Sequence, residues 1–229
     1  MGNYLDLLLF AVLPYGAIFT LLLVSIQRYR AQSFTFSSLS SQFLENERHF
    51  WALVPFHYGI LAVFVGHLLA FLAPRQILWW NSAPFRLFAL EVTGLAFAVL
   101  TFVGLIAMVA RRLTNRKLRV VTTPADLVLF LLLLIQILSG IAVAVFHPWG
   151  SSWFSSALTP YLWSLLKFNP DISYVVGLPH LAKLHIIGAF IVVGMFPFTR
   201  LVHILVIPNP YLWRKPQVVR WYARRGPGS

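Results

Sequence analysis

Phe56-His57-Tyr58-Gly59-Ile60-Leu61-Ala62-Val63-Phe64-Val65-Gly66-His67-Leu68 is an apolar run with two imidazoles and no carboxylate or lysine to pair with them. Toward the other end of the chain, Leu184-His185-Ile186-Ile187-Gly188 and Leu201-Val202-His203-Ile204 repeat the pattern. A polar ring in hydrocarbon is costly unless a partner satisfies it, so an ionisable residue in such a segment points to function. Two segments with two histidines each can hold two metal centres. The rest of the chain then serves as their scaffold.

The composition around these runs fixes the broad class. Only 10% of the 229 residues are charged and 59% are hydrophobic. A soluble domain carries about 25% charged residues, so the sequence is that of an integral membrane protein. The net charge of +12 is not the footprint of nucleic-acid binding, because the basic residues cluster in short loops between apolar runs. The absence of cysteine excludes a structural disulfide, an iron–sulfur cluster held by this chain and covalent c-type haem. Any cofactor must be held by histidine or a weaker ligand. Met1 to Asp6 has no basic stretch, and no small-residue cleavage site precedes Arg28, so the first apolar run is expected to stay as a spanning helix.

A spanning helix needs about 20 mainly apolar residues. Five runs qualify: 5–27, 50–73, 86–110, 125–146 and 181–207. The expected fold class is all-α, with five transmembrane helices in 1–207 and a basic tail, 208–229, on the partner side. Pro197 and the length of the fifth run predict a kink or a tilt there. Arg28, Arg30, Arg48, Arg111, Arg112, Arg116, Lys117, Arg119 and the basic residues of the tail share one side of this topology. Only Arg75, Arg86, Lys167 and Lys183 lie on the other. The basic side faces the cytoplasm, which puts the N-terminus outside and the C-terminus in the cytoplasm. In the long outer connection, Ser156 to Phe168 reads as an interfacial helix lying on the membrane surface. Trp79, Trp80, Trp149, Trp153 and Trp163 read as an outer aromatic belt. Thr123, Pro124 and Asp126 mark the start of helix four, with Asp126 a capping residue rather than a proton carrier.

Helix two enters from the cytoplasm, so His57 is shallow and His67 lies ten residues deeper. Helix five runs back, with His185 near the outer face and His203 near the inner one. Topology thus pairs His57 with His203 and His67 with His185. The two spacings correspond to about 15 Å and about 27 Å of helix. Eighteen residues are five full turns, so His185 and His203 point the same way, whereas His57 and His67 are about 80° apart. A wide macrocycle at each level, with tilt and the kink, absorbs this mismatch better than a small tetrahedral ion. Two facing imidazoles suit a six-coordinate haem iron, and Gly59, Gly66 and Gly188 are expected to let a flat ring approach the backbone. The bland alternative, core histidines bonded to neighbouring helices, serves for one histidine better than for four arranged as two pairs. His49 reads as a solvated inner-loop residue, His147 and His180 as outer-surface residues, and His180 as the alternative to His185.

At these residues the chain resembles the gamma subunit of respiratory, membrane-bound nitrate reductase, a di-haem cytochrome b family. The resemblance rests on Phe56-His57-x-Gly59-Ile60-Leu61-x-x-Phe64-Val65-Gly66-His67, on Arg111-Arg112-Leu113, on Thr122-Thr123-x-x-Asp126, on Leu184-His185 and on Phe196-Pro197-Phe198-Thr199-Arg200-Leu201-Val202-His203. It implies two haem b groups: an inner one ligated by His57 and His203, an outer one by His67 and His185. It implies a subunit that oxidises membrane quinol near the outer haem. Electrons would pass inward to an iron–sulfur subunit and a molybdenum catalytic subunit on the cytoplasmic side of a bacterial or archaeal cell membrane. Nitrate itself would not meet this chain. Arg86 stands where the family has a lysine at the quinol site, a departure that keeps the charge and changes the geometry. Arg112 and Arg200 are candidates to pair with haem propionates, and the tail from Tyr211 to Arg225 is expected to dock on the iron–sulfur subunit or else to bind anionic lipid. Two other functions fit the same residues less fully. One is a di-haem subunit of another complex, of the disulfide-reducing type. The other is a haem or ion transporter, for which internal inverted repeats would be expected.

Overall fold

The computed structural model describes residues 4–35 and 49–206, and every regular element among them is helical. Among the described residues, five helices are long and apolar enough to cross a membrane: Tyr4–Gln32, Phe50–Leu72, Pro84–Thr114, Pro124–Phe146 and His180–Phe198. They are called helices one to five here. Side chains such as Leu61, Phe64, Phe88 and Leu131 stand exposed on their outer faces, where lipid replaces water as solvent. Helix three exceeds its expected range at both ends, from Pro84 at its first turn to Arg111 and Arg112 in its last. His49 opens the second helical segment, His49–Leu72, rather than lying in a loop. Arg48 and the tail 208–229 fall outside the described residues.

The two ends of the bundle differ in chemistry. One end carries Arg28, Arg30, Arg111, Arg112, Arg116, Lys117, Arg119 and Arg200, and is called the basic end. At the other, aromatic end, the connection between helices four and five packs on the turn between helices two and three. Asn81 Nδ2 there donates to Ser151 Oγ and Ser152 Oγ, both at 2.9 Å. Glu91 accepts from Ser151 N and Oγ at 2.8 and 2.6 Å. Lys183 and Asp6 pair at 3.8 Å, tying helix five to the start of helix one.

The connection is helical over 150–166, is not among the candidate spans, and packs on the bundle. Tyr161 is fully buried in a cluster with Phe10, Leu158, Leu165, Val175 and Ile186. Thr159 Oγ1 donates to Ala70 O at 3.2 Å, and Trp163 stacks on Phe71 at 5.1 Å. The segment therefore covers the aromatic ends of helices one, two and five. One bond explains its anchorage. Pro14 has no N–H, so the Phe10 carbonyl loses its usual donor four residues on. The helix opens into a π turn at Leu8–Val12, and the Tyr161 hydroxyl donates to Phe10 O at 2.6 Å. Burial, and after it the nearby Tyr15, pushes the Tyr161 phenol above its ordinary range, so it remains a donor.

Helices two and three make the closest contact of the bundle, through glycines. A Cβ on Gly59 would strike the Thr101 side chain, and one on Gly104 would strike the backbone of Phe56. Small residues at such crossings let helices approach where no hydrophobic effect drives them together. Helix four packs on helices three and five, and helix five also on helix one, whereas helices two and five do not pack closely on each other. The histidine-bearing helices thus face each other across the bundle.

Helix five is broken rather than kinked. Its α-helical part ends at Met195. Short 3-10 turns follow at Phe196–Phe198 and Arg200–Val202, with Thr199 extended between them, and the helix resumes at His203–Val206. Arg28 of helix one closes the gap: its Nη1 donates to Pro197 O at 2.6 Å and to Thr199 O at 3.4 Å. A residue that reads as an ordinary loop cation satisfies backbone carbonyls freed by the break.

Candidate functional site

Three of the four histidines share one bonding pattern. His57 Nδ1 lies 2.8 Å from Leu53 O, His67 Nδ1 2.8 Å from Val63 O, and His203 Nδ1 2.5 Å from Arg200 O. A carbonyl only accepts, so Nδ1 carries the proton and donates in each case, which leaves the Nε2 lone pair for a ligand. Metal-ligating histidines have this arrangement, their second nitrogen oriented by a carbonyl or carboxylate. In each of the three, the carbonyl belongs to the preceding turn of the same segment.

His185 is held differently. Its Nδ1 lies 3.1 Å from Gln136 O of helix four and 3.1 Å from Ser139 Oγ. Gln136 Nε2 donates to His185 O at 3.1 Å and lies 3.2 and 3.4 Å from the two ring nitrogens. A Cβ on Gly140 would stand 2.8 Å from His185 Cε1, so the imidazole occupies the space a side chain there would take. The Gln136 side-chain oxygen is buried without a hydrogen-bond partner.

Across the bundle, the rings of His67 and His185 have centres 6.5 Å apart and planes at 43°. Two imidazoles on opposite sides of one metal, each nitrogen about 2 Å from it and about 1 Å from its own ring centre, give roughly 6 Å. The distance between the two rings is therefore of the order that would let both imidazoles hold one metal. Phe154 packs edge-on against His67, with ring centres 5.3 Å apart. His57 and His203 make no such ring contact with each other among the described residues, and His57 instead packs against Phe56. The break in helix five accounts for part of this, since five unbroken turns no longer relate His203 to His185. No three His, Asp or Glu side chains among the described residues gather as a metal-ion site.

Two of the three expected glycine cradles are filled. Gly59 is closed by Thr101 and Gly188 by the Gln136 side chain; only Gly66 has open space where a Cβ would stand. Close approach of a flat ring is therefore available at Gly66, beside His67, while the other two glycines serve packing between helices.

Each arginine singled out from sequence has a defined setting. Arg86 sits over the rings of Trp79 and Trp80, at 4.8 and 5.4 Å, and its Nη2 donates to Trp79 O and Ser82 Oγ, both at 3.1 Å. Its Nε is buried and has no protein partner. At the basic end, Arg200 grips Asp126 with two bonds, from Nε to Oδ1 and from Nη2 to Oδ2 at 2.7 Å. Arg112 donates to Thr122 Oγ1 at 3.1 Å and lies 3.9 Å from the Asp126 carboxylate. Asp126 also closes the expected capping box: Thr123 N donates to its Oδ2 at 2.9 Å, and its own N–H donates to Thr123 Oγ1. Sequence reasoning found the cap and missed the ion pair. It also missed Gln136, Ser139 and Gly140. Their signal was a polar and small set spaced i, i+3, i+4 in an otherwise apolar helix, which places them on one face.

Fold and site together define a class: a helical membrane protein with five candidate spans among the described residues and two histidines on each of two facing helices. A family model described as nitrate reductase gamma subunit matches residues 6–222. The chain is 33% identical over 227 residues to respiratory nitrate reductase 2 gamma chain of Escherichia coli, covering 96% of this chain and 99% of that one. It is 31% identical over 218 residues to nitrate reductase gamma chain of Bacillus subtilis, covering 93% and 97%. A nitrate reductase-like protein of Mycobacterium tuberculosis is 28% identical over 220 residues, in which this chain corresponds to 33% of that longer protein. The chain belongs to the nitrate reductase gamma subunit family. Membership makes it an electron-transfer subunit of an oxidoreductase complex, with a haem-type cofactor as the family's group.

Proposed function

We propose that this chain oxidises membrane quinol and passes the electrons through two b-type haems to a cytoplasmic iron–sulfur subunit and a molybdenum-containing nitrate reductase subunit. The observation that carries the reading is the 6.5 Å approach of His67 and His185, each with Nδ1 close to a carbonyl. His67 and His185 are the proposed ligands at the aromatic, outer end, and His57 and His203 those at the basic, inner end. Haem bound at each level supplies a one-electron carrier whose potential the protein sets through its ligands and burial.

The chain's own residues do the rest. The carbonyls of Leu53, Val63 and Arg200 fix the imidazole tautomers and aim the rings. Arg112 is the proposed partner of a propionate, whereas the other candidate, Arg200, has its Nε and Nη2 committed to Asp126. Arg86, clamped by its tryptophans with Nε unspent, is proposed to donate to a quinol oxygen at the aromatic end. Oxidation of one quinol releases two protons and two electrons. With the N-terminus outside and the C-terminus in the cytoplasm, the protons leave on the outer side and the electrons go inward, so turnover charges the membrane. The tail 208–229 is the proposed contact with the iron–sulfur subunit.

The test is haem reduction by a short-chain quinol in membranes, with dithionite defining full reduction. Wild type should be reduced by quinol to a large part of the dithionite level, and Arg86→Ala should slow this without loss of haem. Haem reduced by dithionite and indifferent to quinol would remove the quinol reading and leave an electron carrier of another kind.

A further inference from the structure

We propose that Asp126, at the start of helix four, is a positioning residue for His203, acting through Arg200. The inference rests on the reading of His203 as an axial ligand. It deepens that reading by naming what holds the ligand in place.

The chain of contacts is short and continuous. Asp126 is 3% exposed and is fixed to its own helix by the Thr123 N–H and the capping box. Its two oxygens take Nε and Nη2 of Arg200, a planar fork matched to a carboxylate. Arg200 Nη2 also donates to Val121 O at 3.1 Å, just before the cap. The carbonyl of the same Arg200 accepts the His203 Nδ1 proton. Arg200 is thus tied to helix four by its side chain and to the imidazole by its main chain.

The need for such a tie follows from the break in helix five. His57 and His67 take their Nδ1 acceptors from the unbroken α-helix of segment 49–72. The acceptor for His203 lies in a single 3-10 turn, Arg200–Val202, preceded by the extended Thr199. Two bonds from Arg28 hold the near side of the break at Pro197 and Thr199. The Asp126 pair holds the far side, next to the ligand. Removing the carboxylate would also take a counter-charge from a partly buried guanidinium, which favours rearrangement of that turn.

The experiment uses the protein in membranes and reads haem spin state by electron paramagnetic resonance, with the haem-to-protein ratio. The variants are Asp126→Asn, Arg200→Gln, the double variant, and Thr123→Ala as a control that weakens the cap and leaves the ion pair. His203→Ala and His67→Ala identify which signal belongs to which level. Asp126→Asn and Arg200→Gln should each convert the His203-level signal partly to high spin and leave the His67 and His185 signal unmoved. The double variant should be no worse than either single, because the two residues act as one unit, and Thr123→Ala should match wild type. A His203-level signal unchanged in Asp126→Asn, while His203→Ala abolishes it, would overturn the inference alone. Signals indifferent to His203→Ala would overturn the ligand reading beneath it. Equal loss at both levels would also overturn the inference, since Asp126 would then support the bundle generally.

Discussion

His185 rests against helix four where any side chain at position 140 would displace it, since a Cβ there would stand 2.8 Å from the ring. Gly140→Val should therefore cost the His67 and His185 level its haem and spare the other. The readout is haem per protein in purified material, expected to fall by one; an unchanged ratio would show that the ring can move without losing its ligand role. Tyr161→Phe isolates a different residue-scale effect. It leaves the Phe10 carbonyl buried without a donor, which costs about 1–3 kcal/mol. Thermal unfolding in detergent should show the loss, with haem content intact. These two residues differ in how far sequence could reveal them. Tyr161 is legible once Pro14 is seen to orphan a carbonyl, but the donor lies about 150 residues away and no local pattern names it. The four histidines were legible because imidazoles in hydrocarbon stand out, and the Thr123 to Asp126 cap because its spacing is local. Gln136 and Arg28 were not, because each acts on a backbone group of a distant helix.

At the scale of the element, the break in helix five is the feature that decides His203. Proline spacing predicted a kink, and the structure instead has an extended residue between two short 3-10 turns. A kink preserves helical phase approximately, whereas a break does not, so arguments from eighteen residues as five turns fail here. Pro197→Ala restores a backbone N–H and favours continuation of the helix. It should rotate His203 from its setting and turn its level partly high-spin, with the other level retained. Two unaltered low-spin signals would mean that Arg28 and Asp126 impose the break whatever residue stands at 197. The contact of helices two and three is the second element-scale dependence. Gly104→Val pushes a branched side chain into the backbone of Phe56, one residue before His57. Overpacking of this kind costs about 1–3 kcal/mol, measurable as a lower unfolding temperature; no change would mean that the helices can separate freely.

For the whole molecule, the basic and aromatic ends give the bundle a polarity that matches its proposed task. Spans were readable from composition because hydrocarbon thickness fixes their length. The covering helix at 150–166 was only half readable: its aromatic content suggested the membrane surface, while its burial depends on tertiary partners in helices one, two and five. Orientation can be tested simply, since the chain has no cysteine. Arg116→Cys and Asp171→Cys place single thiols at exposed positions on opposite ends. In intact spheroplasts an impermeant thiol reagent should label the Asp171 position and leave the Arg116 position until the cells are opened. The reverse pattern would invert the proposed direction of electron flow. The most direct test of the central claim is the reduced-minus-oxidised visible spectrum, with haem per protein, of wild type and the four single His→Ala variants. The account predicts two b-type haems, one perturbed by His57→Ala or His203→Ala and the other by His67→Ala or His185→Ala. No haem in wild type, or a spectrum indifferent to all four changes, would contradict it.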